Sequence, residues 1–218
     1  TNVMGATKRV AEIIVQGYAK ESKNKENKTS KISSESFTNF SIVRFGNVLG
    51  SSGSVVPMFQ EQINRGGPIT LTHPEIIRYF MSIKEAVELV LQASALEKNG
   101  DILLLDMGDP VKIIDLAKQM ISLNGLSIKD EINKKGDIEI INIGLRPGEK
   151  LYEELLIDKK SQKTSHPLIY RGIESAPNLD EIENKLIPLE KELNLFNKEE
   201  CLKILKTIVP EWDDQIKS

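Results

Sequence analysis

Apolar positions recur at helical spacing from the first residues of the chain. Val3, Ala6, Val10, Ile13, Ile14 and Gly17 fall near a 3.6-residue period, which predicts a helix over Asn2–Lys20 with Thr1 or Asn2 as its N-cap. Lys23–Ser36 holds Lys, Asn, Ser, Glu and Thr with a single Ile, and reads as a solvated loop. Phe40–Phe45 reads as a buried strand, followed by a loop to Ser54 punctuated by Gly46, Gly50 and Gly53. Val55–Arg65 reads as a helix with Pro57 in its first turn, stopped at Gly66-Gly67-Pro68. Strands are expected at Ile69–Thr72, Ile102–Asp106 and Ile138–Ile143, and helices at Ile83–Lys98, Lys112–Leu123, Lys150–Leu156, Leu179–Leu193 and Lys198–Ile208. Alternating strands and helices predict an α/β architecture. About four strands are too few for a self-sufficient doubly wound sheet, so the pattern reads as the second half of a fold. An opening directly into a helix at Thr1 supports the same expectation, that of a chain cut from something longer.

Composition narrows the function classes. The 218 residues carry 29 Lys+Arg against 32 Asp+Glu, a net charge of −3, which excludes a globally basic nucleic-acid binder while leaving room for a local anion site. A single cysteine, Cys201, excludes an internal disulfide framework and a Cys-rich zinc site. The two histidines, His73 and His166, lack metal-ligand spacing, and each precedes a proline in a turn. The longest near-apolar stretch, Ala86–Leu96, contains Glu88 and Gln92 and is too short to span a bilayer.

Four places could carry chemistry. Arg146-Pro147-Gly148-Glu149-Lys150 follows an expected strand and precedes an expected helix; it presents two cationic donors and a carboxylate, either to hold a phosphate or as a solvated charged turn. The segment Arg44–Ser54 is a Gly- and Ser-rich loop at the carboxyl end of a strand, where open α/β sheets bind ligands, but it lacks the spacing of a dinucleotide fingerprint or a P-loop, and a structural loop fits it as well. Arg78 lies between apolar neighbours, as a core-edge arginine with a carboxylate partner or as an anion ligand. Met4 and Lys8 share one helix face, where a buried methionine beside a snorkelling lysine is the ordinary arrangement.

Taken together, the run Asn2–Arg9, the block Arg44–Pro57, the segment Thr72–Met81, Leu105–Gly108 and Gly144–Leu156 resemble the nucleotide-sugar 4,6-dehydratases of bacterial polysaccharide biosynthesis, which are extended short-chain dehydrogenase/reductases. The similarity spans roughly residues 1–157 in the family's order. It implies the C-terminal part of an extended Rossmann-type, NAD(P)-binding fold with a smaller α/β substrate domain. Residues 1–50 would end the Rossmann domain, 51–157 would form mainly the UDP-sugar domain with a returning Rossmann segment, and 158–218 would be a helical tail. The family's Tyr-x-x-x-Lys is met here by Met4-Gly5-Ala6-Thr7-Lys8. Met in place of Tyr resembles the large membrane-anchored branch that acts on UDP-N-acetylglucosamine, and it removes the tyrosine as proton carrier.

The implied reaction is redox-neutral: hydride leaves sugar carbon 4 for NAD or NADP, water is eliminated across carbons 5 and 6, and hydride returns to carbon 6, giving a 4-keto-6-deoxy sugar. The resemblance implies that Lys8 holds the nicotinamide ribose and that Met4 packs by sugar and nicotinamide. Phe45, Gly46, Asn47 and Val48 would line the nicotinamide end, with Asn47 also near the substrate phosphates. Val56, Pro57 and Gln60 would approach the nucleotide, and Thr70 and Thr72 would flank the uracil. Arg78 and Arg146 would clamp the diphosphate, and Glu149 would accept a ribose hydroxyl. The expected partner is a UDP-sugar, with no nucleic acid and no membrane contact from this segment. The parent would be a homo-oligomer with a cytoplasmic catalytic domain, membrane-anchored or not.

The family's Gly-rich fingerprint is not in this sequence, and its Thr-Asp-Lys, source of the elimination acid and base, would lie just upstream of Thr1. The segment alone is therefore expected to be catalytically incompetent. Three rivals stand beside this reading: an NAD-dependent nucleotide-sugar epimerase or oxidoreductase of the same superfamily, which a tyrosine at position 4 would favour, a non-catalytic nucleotide-sugar binding module, and a structural α/β domain with a charged turn.

Overall fold

A computed structural model describes residues 2–28, 38–51, 53–153, 157, 160–174 and 177–212. They form, in chain order, α1 (Val3–Lys28), β1 (Ile42–Arg44), β2 (Asn47–Val48), α2 (Val55–Asn64), β3 (Ile69–Leu71), β4 (Ile77–Arg78), β5 (Phe80–Met81), α3 (Ile83–Leu96), β6 (Ile102–Leu105), β7 (Val111–Lys112), α4 (Ile113–Leu123), β8 (Ile128–Lys129), β9 (Ile138–Asn142), β10 (Gln162–Lys163), β11 (Ile169–Gly172), α5 (Leu179–Asn194) and α6 (Lys198–Ile208). The α/β fold expected from the alternation is the one observed. No helix among the described residues is long and apolar enough to cross a membrane.

The chain divides into two units. The first comprises Thr1–Arg44, Leu91–Leu105 and Ile157–Ser218; the second comprises Phe45–Val90 and Asp106–Leu156. The first unit is built on a four-stranded sheet of order β1-β6-β11-β10, in which β6 pairs in parallel with β1 and antiparallel with β11. All four residues of β6 are buried, as an unbroken Ile-Leu-Leu-Leu run requires when both faces are covered. A separate cluster joins Ala6, Val10 and Ile13 of α1 to Ile182 of α5, to Leu205 and Ile208 of α6, and to Val209 and Trp212. The helical period read in α1 is thus the face that α5 and α6 cover. Gly17 lies in that face because a side chain there would meet the Ile182 methyl at 2.7 Å.

Several expectations are corrected here. The helix at the N-terminus does not stop at Lys20 but runs to Lys28. Lys and Glu are good helix formers, and an ion pair between Lys25 and Glu21, one turn apart, supports the polar extension. Residues 29–36 of the expected loop lie outside the described residues. Asn2 is the N-cap, its Oδ1 accepting the Gly5 N–H at 2.7 Å, while Thr1 lies outside the described residues. The strand at 40–45 shortens to β1, which is half-buried and, among the described residues, pairs only with β6. The segment 158–218 is not wholly helical, since β10 and β11 extend the sheet.

The turn between α5 and α6 is a Schellman motif. The Asn197 N–H bonds to the Glu192 carbonyl and the Phe196 N–H to the Leu193 carbonyl, which places Phe196 in the left-handed region at φ 55°. Its side chain is 93% exposed, so no packing compensates the strain. Replacing Phe196 by Gly is expected to raise stability by about 0.5–1 kcal/mol in denaturant unfolding. A loss of stability would show that the exposed ring has a partner.

A half-buried charge network also holds the first unit together. The Arg44 Nε and Nη2 donate to the two Glu12 oxygens at 2.7 and 2.6 Å, and its guanidinium also pairs with Glu174. Arg9 bonds to Glu12 at 3.0 Å, Glu174 at 2.8 Å and Glu211 at 3.0 Å. Burial by itself would lower the Arg44 pKa, but the hydrogen bonds to Glu12 and Glu174 outweigh it and raise the value. Burial would raise the Glu12 pKa, but the hydrogen bonds from Arg44 and Arg9 outweigh it and hold the carboxyl below its ordinary 4.5. Since the folded-state value is depressed, Glu12 contributes its full stabilisation above about pH 4.5 and loses it as the pH falls through the lowered value. Arg44→Met, which keeps the apolar stem, is expected to cost about 1–3 kcal/mol at pH 7. The difference from the unsubstituted protein should shrink in unfolding curves taken progressively below pH 4.5. A difference independent of pH would mean the network is not what stabilises.

The second unit has its own core of Phe59, Ile63, Ile69, Leu71, Ile76, Ile113, Ala117, Met120, Ile121 and Ile138. Here β3, β9 and β8 form a three-stranded parallel sheet, with β3 and β8 flanking β9. Two small pairs, β2 with β5 in parallel and β4 with β7 antiparallel, complete the unit. The strands predicted at 69–72 and 138–143 are β3 and β9. Among the described residues there are eleven strands where about four were expected. The additional ones are mostly two residues long and have no period to read. The helix expected at Lys150–Leu156 is absent over Lys150–Glu153, which form a bend, and 154–156 lie outside the described residues.

Candidate functional site

Strand β4 puts Arg78 between Ile77 and Tyr79 at the margin of the second unit's core, and the antiparallel pairing with β7 fixes its register opposite Val111. Its side chain is only 17% exposed. Nη1 donates to the Ile77 carbonyl at 2.7 Å and Nη2 to the Lys150 carbonyl at 2.8 Å. Nε lies 3.3 Å from Glu153 Oε2, and Nη2 lies 3.7 Å from Glu149 Oε1. Of the two readings open for Arg78, the core-edge arginine with carboxylate partners is therefore present in the structure.

The turn Arg146–Lys150 wraps onto this arginine. Pro147 and Gly148 turn the chain, and Gly148 takes a positive φ of 75°. The Glu149 N–H donates to the Arg146 carbonyl at 3.0 Å, and the Glu149 Oε2 accepts the Arg146 N–H at 3.1 Å. The Thr72 hydroxyl donates to Glu149 Oε1 at 3.0 Å. Thr72, Arg78, Arg146 and Glu149 thus meet in one cluster, although 77 positions separate Thr72 from Glu149. The Arg146 side chain is exposed, with no ion pair to any described residue.

The other expected site residues of this unit lie as follows. Thr70, on β3, is tied to Gln62: its N–H donates to Gln62 Oε1 at 3.0 Å, and Gln62 Nε2 donates to its hydroxyl at 2.8 Å. Gln60 donates from Nε2 to Asn64 and to Asn124, both at 2.9 Å. Val56 packs against the core, and Pro57 is exposed in the first turn of α2. Asn47 is exposed on β2, its N–H and Nδ2 both donating to the Tyr79 carbonyl at 3.0 and 3.2 Å. Val48 pairs with Met81. Phe45 is half-buried. Gly46 is closely packed, since a Cβ there would lie 3.2 Å from both the Tyr79 carbonyl oxygen and the Met107 methyl. Ser52 of the same loop lies outside the described residues.

In the first unit, Lys8 is exposed on α1, and Met4, expected to be buried, is 64% exposed. Both point away from the Ala6, Val10 and Ile13 face that packs under α5 and α6. In the second unit, the exposed Asn47 amide is of a chemistry that suits the polar end of a nucleotide cofactor. No group of carboxylates, histidines or cysteines that could hold a metal occurs among the described residues.

Sequence reasoning missed Gln62 and Glu153. Nothing local signals the Gln62–Thr70 pair, which a turn and a change of element separate. Glu153 falls in the stretch expected as a helix, and nothing in that expectation sets it beside Arg78.

A family model described as polysaccharide biosynthesis protein matches residues 1–174. The capsular polysaccharide biosynthesis protein CapD of Staphylococcus aureus is 50% identical over 209 residues, covering 94% of this chain and 30% of that protein. A UDP-glucose 4-epimerase of Rickettsia rickettsii is 30% identical over 224 residues, covering 96% of this chain and 59% of that protein. The X-ray structure of Pen from Bacillus thuringiensis aligns with a TM-score of 0.51 at 30% identity, over 70% of this chain and 51% of that one. The chain spans less than two thirds of the length of each of these relatives.

Proposed function

The chain belongs to the polysaccharide biosynthesis protein family, and from that premise we propose that it is part of a nucleotide-sugar-modifying enzyme, a UDP-N-acetylglucosamine 4,6-dehydratase. The cluster of Thr72, Arg78, Arg146 and Glu149 carries this reading. Four residues that the family resemblance assigns to a UDP-sugar site converge from two distant segments of chain. In this reading the cluster receives the nucleotide end of the substrate. Arg78 offers a guanidinium edge held rigid by two backbone carbonyls, and Arg146 offers an exposed fork for phosphate oxygens. Glu149 takes a ribose hydroxyl in addition to the donors it already accepts. Thr72 holds Glu149 in place, and Thr70 reaches the base from β3. Val56, Pro57 and Gln60 approach the nucleotide from α2.

NAD or NADP, when bound, supplies the acceptance and return of hydride. On this chain Lys8 would hold its ribose, Met4 would pack against the ring, and Phe45–Val48 would line the nicotinamide end. A methionine at position 4 cannot carry a proton, so the residues proposed here bind, orient and exclude water. The epimerase relative keeps a second reading in view.

The two readings separate in one experiment. The full-length protein is incubated with UDP-N-acetylglucosamine and cofactor in D2O, and the product is followed by NMR. A dehydratase loses the carbon 6 hydroxyl and incorporates solvent deuterium at carbon 5, because that carbon is deprotonated and later reprotonated. A 4-epimerase returns a sugar with its carbon 6 hydroxyl intact and no deuterium at carbon 5. The second outcome would overturn the dehydratase assignment, and failure to bind UDP at all would overturn both.

A further inference from the structure

The two carboxylates beside Arg78 are held in different ways. Glu149 is fixed by the Thr72 hydroxyl at 3.0 Å and the Arg146 N–H at 3.1 Å, and is 22% exposed. It belongs to the turn whether or not Arg78 is engaged. Glu153 is 39% exposed, and among the described residues its ion-pair partner is Arg78, through Nε at 3.3 Å. On Arg78 itself, Nη1 and Nη2 each give one of their two N–H groups to a backbone carbonyl. The Nε carries a single N–H, and its partner sits on a partly exposed side chain.

Carboxylate and phosphate oxygens compete for the same guanidinium N–H groups, with similar hydrogen-bond lengths and the same charge sign. We propose that Glu153 is a tethered competitor for the substrate's diphosphate, occupying the Arg78 Nε while the site lacks nucleotide and withdrawing when a diphosphate arrives. The proposal rests on the reading of Arg78 as a diphosphate ligand and deepens it. Glu153 keeps the arginine oriented and its charge compensated in the empty site. It also lowers the apparent affinity by the fraction of time it holds the seat, since only the vacated state is competent to bind. A displaced Glu153 has open solvent to enter, so the exchange needs no movement of the core.

The test is calorimetric titration of the full-length protein with UDP. Glu153→Gln keeps the shape and removes the charge, and is expected to tighten UDP binding about tenfold, as for a seat occupied about nine-tenths of the time. Glu153→Ala should tighten it as well, which guards against a glutamine that forms a hydrogen bond to Arg78. Combined with Arg78→Ala, neither substitution should have any further effect. If Arg78→Ala alone leaves UDP affinity unchanged, the diphosphate reading fails and this proposal with it. If Arg78→Ala weakens binding while both Glu153 variants leave it unchanged or weaken it, the diphosphate reading stands and the competitor role is overturned.

Discussion

An Arg78→Ala variant of the full-length protein is expected to bind UDP roughly 30- to 4000-fold more weakly, about 2–5 kcal/mol, the cost of truncating one partner of a desolvated charge pair. The size follows from the burial. At 17% exposure, Arg78 has already lost most of its water, so a phosphate that reaches it meets a charge little screened by solvent. Two backbone carbonyls fix the plane of the guanidinium, so little side-chain entropy remains to be lost on binding. Arg146 differs on both counts: it is exposed, and the same substitution there should cost less. Because Arg78 also anchors the turn through the Lys150 carbonyl, unfolding curves must accompany the titration. A variant that folds as the parent does and binds UDP equally well would remove Arg78 from the site.

Gly136→Ala is expected to destabilise the second unit by about 3 kcal/mol, at the upper end of what overpacking costs. A Cβ at this position would lie 2.2 Å from the Ile128 carbonyl oxygen, 2.5 Å from its carbon and 2.6 Å from the Lys129 Cα. These are main-chain atoms of β8, which pairs with β9, so they cannot swing aside as a side chain would. The loop is pinned on its other flank too. The Asp137 and Ile138 N–H groups share the Ser127 carbonyl at 2.9 and 3.0 Å, and Ser127 returns two bonds to the Asp137 carboxylate at 2.8 and 2.7 Å. Relief therefore requires breaking β8 away from β9. Denaturant unfolding reads the effect directly, and an unchanged midpoint would mean that β8 is dispensable to the unit.

The helices were legible in the sequence because each carries an apolar face long enough to show its period. The Ala6–Val10–Ile13 face of α1 and the Ala117–Met120–Ile121 face of α4 are both buried as their spacing implies. The extension of α1 past Lys20 was not legible, since a helix without an apolar face shows no period and is set by propensity and local ion pairs. Two-residue strands such as β4 and β7 were invisible for a related reason: alternation needs more residues than these pairs have, and pairing is decided by what the rest of the fold brings alongside. The candidate residues were chosen by family resemblance, and their convergence is a tertiary fact. Thr72 and Glu149 each look unremarkable in their own segments. Their contact follows from the parallel pairing of β3 with β9, which sets Leu71 opposite Asn142 and so starts the two outgoing segments side by side. Glu153 and the Arg9–Glu12–Arg44–Glu174 network escaped for the same reason, although the Arg9–Glu12 spacing of three residues was readable in part.

The first unit's sheet has a consequence for how the chain comes to be folded during synthesis. Its central strand, β6, depends on β1, about sixty residues earlier, and on β11, more than sixty residues later. Every strand pair of the second unit lies between residues 47 and 142. Emerging from the ribosome, the chain can close the second unit while the first still waits for β11, with one side of the Ile102–Leu105 run unpaired. That run is wholly apolar and buried on completion, so the interval between the synthesis of Leu105 and that of Gly172 leaves it open to aggregation and in need of a chaperone.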